Sequence, residues 1–131
     1  GGSETILVVD DNDQVRDFQE EILRGVGYGV ITAVDGRQAY EIYRAQRQQV
    51  DLIILDVMMP VMDGEHCLKA IMEFHPDAKV VVYSGLINDE LPSKLINAGA
   101  RAYLQKPINR NMFLKTIREV LDSGAKTASR V

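Results

Sequence analysis

The sequence predicts an α/β domain in which five parallel strands form a doubly wound sheet covered by five helices. Short continuous runs of Val, Ile and Leu alternate along the chain with stripes in which apolar residues recur every three or four positions. The continuous runs are typical of parallel strands buried on both faces, and the stripes are typical of helices with one buried face. Because the two patterns alternate, helices are expected to cover both faces of a parallel sheet.

The first strand and the first helix show the pattern that the rest of the chain repeats. Residues 6–9 form the apolar run ILVV, which predicts a strand. Val15 and Phe18 begin a helical stripe that predicts one buried face on the helix that follows. Asn12 or Asp13 is expected to cap this helix, because a side-chain oxygen there can accept from the free N–H groups of the first turn.

Eight further elements follow the same alternation. Residues 51–56 form the most apolar run, so this strand is expected to be the central one of the sheet. Pro92 is compatible with the first turn of a short helix. In chain order the elements are a strand at 29–34, a helix at 36–48, a strand at 51–56, a helix at 64–74, a strand at 79–83, a helix at 89–98, a strand at 101–105 and a helix at 109–122.

The composition excludes several classes of protein. With 131 residues and 46% apolar content, the chain is long enough for one domain with a single sizeable core. Its formal charge is −4, and its 15 Lys and Arg are scattered among 19 acids, so direct nucleic acid binding is not expected. A single cysteine, Cys67, excludes an internal disulfide. No apolar run approaches the roughly 18 residues of a membrane span, and no signal-peptide pattern is present, so a cytoplasmic domain without membrane insertion is predicted.

Polar and charged residues follow four of the predicted strands, at the point where each strand ends. Because the carboxyl ends of parallel strands meet at one edge of a sheet, these side chains are expected to converge there. Carboxylates prefer a hard divalent cation, whereas an ammonium and a hydroxyl are suited to phosphate oxygens. The pattern therefore predicts a site that holds a divalent cation and a phosphoryl group together. The residues are Asp10 and Asp11 after the first strand, Asp56 after the third, Ser84 after the fourth and Lys106 after the fifth.

These five residues, with Pro107 and the stretch LDVMMPVMDG, resemble the receiver (response regulator) domain of two-component signal transduction. The resemblance implies the flavodoxin-like strand order 2-1-3-4-5, which places the four strands that carry the site side by side. Residues 4–122 are accordingly predicted to be a receiver domain, 1–3 a cloning scar or linker, and 123–131 a polar tail or linker. The segments SETILVVDD and YSGLIN are more similar to receivers of hybrid sensor histidine kinases than to those of DNA-binding regulators, so the parent chain is a candidate histidine kinase.

The resemblance implies a role for each acid. Asp56 is implied to be the phosphoacceptor, whose carboxylate attacks the phosphorus of a phosphohistidine and becomes an acyl phosphate. Asp11 is implied to ligate Mg²⁺ directly and Asp10 mainly through water. Asp56 and the backbone carbonyl of Met58 complete the implied protein ligands, since Mg²⁺ takes oxygen ligands and keeps several waters.

The remaining site residues are implied to bind and sense the phosphoryl group. Lys106 pairs with a phosphate oxygen, and the Ser84 hydroxyl donates a second hydrogen bond. The Lys106–Pro107 peptide bond is implied to be cis, a geometry that is accessible mainly to X-Pro bonds. Tyr103 occupies the position of the family's aromatic switch, which turns inward when the hydroxyl is drawn to the phosphate.

The resemblance also places two apolar residues on the path of the water that hydrolyses the acyl phosphate. These are Met58, two positions after the acceptor, and Leu86, two positions after Ser84. Neither side chain can orient a water by hydrogen bonding, so hydrolysis is expected to be slow.

The predicted function is that of a phosphoacceptor switch with weak autophosphatase activity, not of an enzyme that turns over a substrate. The implied partners are a histidine kinase or a histidine phosphotransfer protein, and a downstream partner that the sequence does not identify. A Mg²⁺-dependent phosphohydrolase of haloacid dehalogenase type is the alternative, because residues 11–15 spell DxDxV. That motif is one residue out of frame, and no acidic pair follows Lys106. A second alternative is a pseudo-receiver that is never phosphorylated. FMN binding is disfavoured because the first loop is acidic.

Overall fold

The computed structural model describes residues 2–57, 63–85 and 90–123. Within these ranges the chain forms five strands and five helices that alternate along the sequence, as predicted. In chain order they are β1 (Thr5–Val9), α1 (Asp13–Gly25), β2 (Gly29–Ala33), α2 (Gly36–Gln46), β3 (Leu52–Asp56), α3 (Gly64–Phe74), β4 (Val80–Ser84), α4 (Leu91–Asn97), β5 (Ala102–Gln105) and α5 (Arg110–Asp122).

The strands form one parallel sheet with the order β2-β1-β3-β4-β5. This order confirms the doubly wound, flavodoxin-like arrangement predicted from the sequence. β3 lies between β1 and β4, and all five of its residues are buried. The register pairs Val9 with Leu55 and Asp56 with Tyr83, so β1, β3 and β4 end at the same edge of the sheet.

Both faces of the sheet carry an apolar layer, because successive side chains of a strand point to opposite faces. In β3, Ile53 and Leu55 pack in the layer that α2, α3 and α4 cover. Leu52 and Ile54 pack in the opposite layer, which α1 and α5 cover. Burial on both faces explains why β3 reads as a continuous apolar run.

Side-chain caps position the helices that follow the strand ends. Asn12 caps α1, where its side-chain oxygen accepts from the backbone N–H groups of Gln14 and Val15. Asp35 caps α2 and Asp63 caps α3 in the same way. These caps satisfy N–H groups that would otherwise lack a partner in the first turn. The cap on α1 begins the helix two residues after the acids that follow β1.

Gly64 allows α3 to begin directly against the end of β3. A Cβ atom at this position would lie 2.4 Å from the carbonyl oxygen of Asp56 and 2.5 Å from the Cα of Val57. The Gly64 N–H donates to the carbonyl oxygen of Val57 at 2.9 Å. The absent side chain therefore permits a close backbone approach beside Asp56.

Several element boundaries differ from the predicted ones. β4 includes Ser84, because this residue continues the ladder opposite Gln105. α2 ends at Gln46, whose carbonyl accepts from the N–H groups of Gln49 and Val50 in a closing turn. Residues 1, 58–62, 86–89 and 124–131 lie outside the described part of the chain. The predicted limits of the receiver domain and its flanking segments stay predictions.

The prediction that Phe18 lies on the buried face of α1 is wrong, since this side chain is 51% exposed. The buried residues of α1 are Gln19, Ile22 and Leu23. At about 100° per residue, Phe18 lies roughly a quarter turn from the centre of that face. An apolar residue of α5, Met112, is also exposed. Phe18 is therefore part of the surface and not of the core.

Among the described residues, no helix combines the length and the apolar character that a membrane crossing requires. The cytoplasmic location stays a prediction.

Candidate functional site

Three carboxylates lie together at the carboxyl edge of the sheet. Asp10 and Asp11 follow β1, and Asp56 is the last residue of β3. One oxygen from each carboxylate lies within 4.8 Å of the others. Asp10 is entirely buried and Asp56 is 2% exposed, whereas Asp11 is exposed. The three oxygens are close enough to ligate one cation, and Asp11 lies on the solvent side of the cluster.

Lys106 brings a positive charge to this cluster from the loop between β5 and α5. Its Nζ lies 3.5 Å from Oδ2 of Asp56 and 3.8 Å from Oδ2 of Asp10. Its backbone N–H donates to the carbonyl oxygen of Ser84 at 2.9 Å, which ties the loop to the end of β4. The single charge of Lys106 cannot balance three carboxylates, so the cluster has an excess of negative charge and attracts cations.

Two donors hold the Asp10 carboxylate, one at each oxygen. The backbone N–H of Asn12 donates to Oδ1 at 2.8 Å. The hydroxyl of Tyr83 donates to Oδ2. In addition, the Arg16 guanidinium donates to the backbone carbonyl of Asp10 at 2.7 Å. Hydrogen bonds from both sides offset part of the free energy that burial of this charge requires.

Tyr83 is a site residue that the sequence analysis did not identify. Its side chain is entirely buried, and its ring lies beneath Lys106, whose Nζ is 4.9 Å from the ring centroid. Burial, together with the neighbouring Asp10 carboxylate, raises the pKa of the Tyr83 hydroxyl, so this group is a hydrogen-bond donor at neutral pH. The available signal was a tyrosine at the end of a strand buried on both faces, where its hydroxyl needs a partner.

Ser84 is entirely buried at the end of β4, next to the loop that carries Lys106. Its side chain points to the face opposite that of Tyr83, because the two residues are adjacent in a strand. Gly85 follows, and a Cβ there would lie 3.8 Å from Cβ and Cδ of Lys106. The lysine side chain therefore passes close to the backbone just after β4.

The structure describes two of the other predicted site residues, Pro107 and Tyr103. The Lys106–Pro107 peptide bond is cis. Tyr103 lies in β5 opposite Val82, where it is partly buried and packs against the layer covered by α2, α3 and α4. Met58 and Leu86 lie outside the described residues.

An apolar groove borders the cluster on the side of α1. It has a volume of about 560 Å³ and includes the exposed Phe18. Lys106 belongs both to this groove and to the carboxylate site, so the two share a boundary. The groove is lined by Gln14, Val15, Phe18, Lys106, Pro107 and Ile108.

Cys67 and the two histidines are not part of the site. Burial raises the pKa of the Cys67 thiol to about 12, and its Sγ donates to the carbonyl oxygen of Gly36, so the thiol stays protonated. His66 interacts with Asp63 at the start of α3. His75 interacts with the hydroxyl of Tyr43. These contacts are packing and surface interactions away from the carboxylate cluster.

Comparison with known families identifies the family of the chain. The profile of the response regulator receiver domain matches residues 6–118. The chain therefore belongs to the response regulator receiver family, and the phosphohydrolase of haloacid dehalogenase type is not supported.

Among curated relatives, the chain is 43% identical over 122 residues to the chemotaxis protein CheY of Treponema pallidum (strain Nichols), covering 92% of this chain and 85% of the relative. It is 35% identical over 121 residues to the sensor kinase CckA of Brucella abortus (strain 2308), covering 92% of this chain but 13% of that kinase.

Among solved structures, the present chain is similar to a chain of the CheX–CheY–BeF3–Mg²⁺ complex of Borrelia burgdorferi. The TM-score is 0.88 and the identity 32%, covering 92% of this chain and 90% of the other.

Proposed function

We propose that this domain is a phosphorylation-controlled switch in which Asp56 accepts a phosphoryl group from a phosphohistidine of a histidine kinase or a histidine phosphotransfer protein. The observation that carries this proposal is the position of Asp56 at the end of the central strand. There it lies within a cluster of three carboxylates and 3.5 Å from the Lys106 ammonium. A nucleophile, ligands for a cation and a phosphate-binding cation thus share one edge of the sheet.

The carboxylate cluster fits Mg²⁺ because it supplies oxygen ligands, an excess of negative charge and one solvent-exposed acid. Asp11 and Asp56 would hold the ion directly and Asp10 mainly through water, with the backbone carbonyl of Met58 as a further ligand. When bound, Mg²⁺ neutralises charge on the phosphoryl oxygens during transfer. The similar CheY of Borrelia burgdorferi is found in a complex with BeF3 and Mg²⁺, which supports this assignment.

The chemical step would be a direct transfer from the donor histidine to Asp56. An oxygen of Asp56 attacks phosphorus, the P–O bond forms, and the P–N bond to the donor histidine breaks. The departing imidazole takes the electron pair of that bond. Lys106 and the Ser84 hydroxyl would bind phosphoryl oxygens and so stabilise the negative charge on these oxygens during transfer. The hydrogen bond from the Lys106 N–H to the Ser84 carbonyl keeps the lysine near Asp56 before the donor arrives.

The output would be a change of surface and not a released product. Movement of the Ser84 hydroxyl toward the phosphoryl group would leave space on its face of the sheet. Tyr103, partly buried on that face, would turn into this space. Such a rotation would alter the surface of β5 and the neighbouring helices, where a downstream partner would bind.

The groove beside the cluster supports a protein donor. Lys106 lies 3.5 Å from Asp56 and also borders the groove, so a protein that brings a phosphohistidine to Asp56 would lie next to the groove. The exposed Phe18 would then be covered by the donor protein, and burial of an exposed aromatic ring favours association. The similarity to the sensor kinase CckA supports a kinase parent, whereas the higher identity to the shorter CheY favours a domain that acts by itself. Sequencing of the flanking coding region decides between them.

Phosphorylation with a small donor tests the proposal. The protein is incubated with Mg²⁺ and acetyl phosphate, and the site is mapped by mass spectrometry. One acid-stable, base-labile phosphate is expected on Asp56, and Asp56→Asn should remove it. Asp17→Asn, which neutralises an exposed acid of α1, should leave the label intact. Labelling that persists in Asp56→Asn would move the acceptor elsewhere, and an unlabelled wild type would favour the pseudo-receiver alternative.

A further inference from the structure

A buried tyrosine connects the carboxylate cluster to the interior of the sheet. Tyr83 belongs to the layer covered by α1 and α5, where its neighbours are apolar apart from the buried side chain of Gln19. Its hydroxyl donates to Oδ2 of Asp10, and its ring lies under the Lys106 ammonium. One side chain therefore contacts both an acid and the cation of the proposed site.

The hydroxyl of Tyr83 has a specific consequence for the geometry of Asp10. The torsion that rotates an aspartate carboxylate is broad, so one hydrogen bond leaves the plane of the group poorly determined. The N–H of Asn12 holds Oδ1 at 2.8 Å, and the Tyr83 hydroxyl holds Oδ2. With one donor on each oxygen, both the position and the rotation of the carboxylate are determined.

A phenylalanine would fill nearly the same volume in this apolar layer without a polar atom. Burial of a hydroxyl is unfavourable unless it forms a hydrogen bond. The Asp10 carboxylate is the nearest partner of this hydroxyl, the Val9 carbonyl lies at 3.5 Å, and the buried Gln19 side chain is a further polar neighbour. The tyrosine is thus explained by Asp10, which belongs to the proposed cation site.

We propose that Tyr83 is a positioning residue for the divalent cation: its hydroxyl orients Asp10 so that the outward lone pairs of this carboxylate face the space between Asp11 and Asp56. This inference rests on the proposed function. Groups that hydrogen-bond to metal-ligating side chains typically raise affinity about 10–100-fold by fixing their orientation. Tyr83 acts through Asp10 and touches neither the phosphoryl group nor its donor.

Tyr83→Phe removes the hydroxyl but keeps the ring and its contact with Lys106. We expect the Mg²⁺ dissociation constant, measured by calorimetric titration, to rise about tenfold. The rate of phosphorylation by acetyl phosphate should fall at limiting Mg²⁺ and return to near the wild-type value at saturating Mg²⁺. A role confined to stability would lower the melting temperature and leave the dissociation constant unchanged.

Tyr43→Phe is the matched control. Tyr43 is also a buried tyrosine whose hydroxyl interacts with a polar side chain, but its partner His75 lies at the end of α3, away from the carboxylates. Its loss should leave the Mg²⁺ dissociation constant unchanged. A dissociation constant for Tyr83→Phe equal to that of wild type would overturn the inference and leave the proposed function standing.

A second comparison uses the Asp10→Ala background, which removes the buried charge and with it the need for a donor. There Tyr83→Phe should produce no further loss of Mg²⁺ affinity, since its effect is carried by Asp10. An additional tenfold loss would overturn a role that acts through Asp10. A wild type that binds no Mg²⁺ would instead overturn the proposed function, so the two failures are distinguishable.

Discussion

Gly64→Ala tests the close approach of α3 to the end of β3. The added Cβ would lie 2.4 Å from the carbonyl oxygen of Asp56 and 2.5 Å from the Cα of Val57. Both contacts are to backbone atoms, which cannot rotate away as a side chain can. We expect α3 to move outward and the hydrogen bond that ties its N-terminus to the end of β3, from the Gly64 N–H to the Val57 carbonyl, to weaken or break.

The magnitude follows from these two effects. Overpacking of a close contact costs about 1–3 kcal/mol, and loss of one backbone hydrogen bond adds about 1 kcal/mol. The free energy of unfolding should therefore fall by about 2–4 kcal/mol. For a urea dependence of about 2 kcal/mol per molar, the unfolding midpoint should fall by about 1–2 M. Displacement of the Asp56 backbone should also slow phosphorylation by acetyl phosphate.

Urea unfolding followed by circular dichroism measures the effect, with Gly25→Ala as the matched control. A Cβ at Gly25 meets nothing within 4 Å, so this variant should lie within about 1 kcal/mol of wild type. A Gly64→Ala protein as stable as wild type, and phosphorylated at the same rate, would refute the reasoning. It would mean that α3 can shift by an ångström without loss of packing beside the acceptor.

Two further variants test the cation and the lifetime of the phosphoryl group. Asp11→Ala should abolish the rise in melting temperature that Mg²⁺ produces, which corresponds to about 1.4 kcal/mol in the free energy of unfolding at ten times the dissociation constant. Because the variant removes one of three like charges, its stability without metal should equal or exceed that of wild type. A wild type whose melting temperature is indifferent to Mg²⁺ would contradict this expectation. Met58→Asn should speed loss of the aspartyl phosphate about tenfold, or roughly 1.4 kcal/mol of barrier, because an amide can orient the attacking water. The decay of both phosphorylated proteins is followed after donor removal, and equal rates would exclude water orientation at this position.

Several features of the fold and the site can be predicted from local pattern. The central position of β3 follows from its continuous apolar run, since only a strand covered on both faces tolerates it. The convergence of Asp10, Asp56 and Lys106 follows from their places at the ends of parallel strands. Each of these inferences needs only the residues of one segment and the rule that parallel strands share a carboxyl edge.

Other features depend on contacts between segments that are far apart in the sequence, and no local pattern predicts these contacts. The end of β4 is one example: the apolar run predicts that the strand ends at residue 83, but Ser84 extends it by pairing with Gln105 on β5. The exposure of Phe18 depends on how α1 is rotated against the sheet, and Gln19 takes the buried position that its polarity does not suggest.

The sequence by itself determined the class of the domain, the order of its elements and the edge at which its acids and lysine meet, because these follow from periodicity and from strand ends. Only the tertiary structure decided how the site is supported. Tyr83 and Asp10 are 73 residues apart, and their hydrogen bond exists because the register of β1, β3 and β4 brings two strand ends to the same depth. Likewise, the need for glycine at position 64 appears only when α3 is packed against the backbone of Asp56.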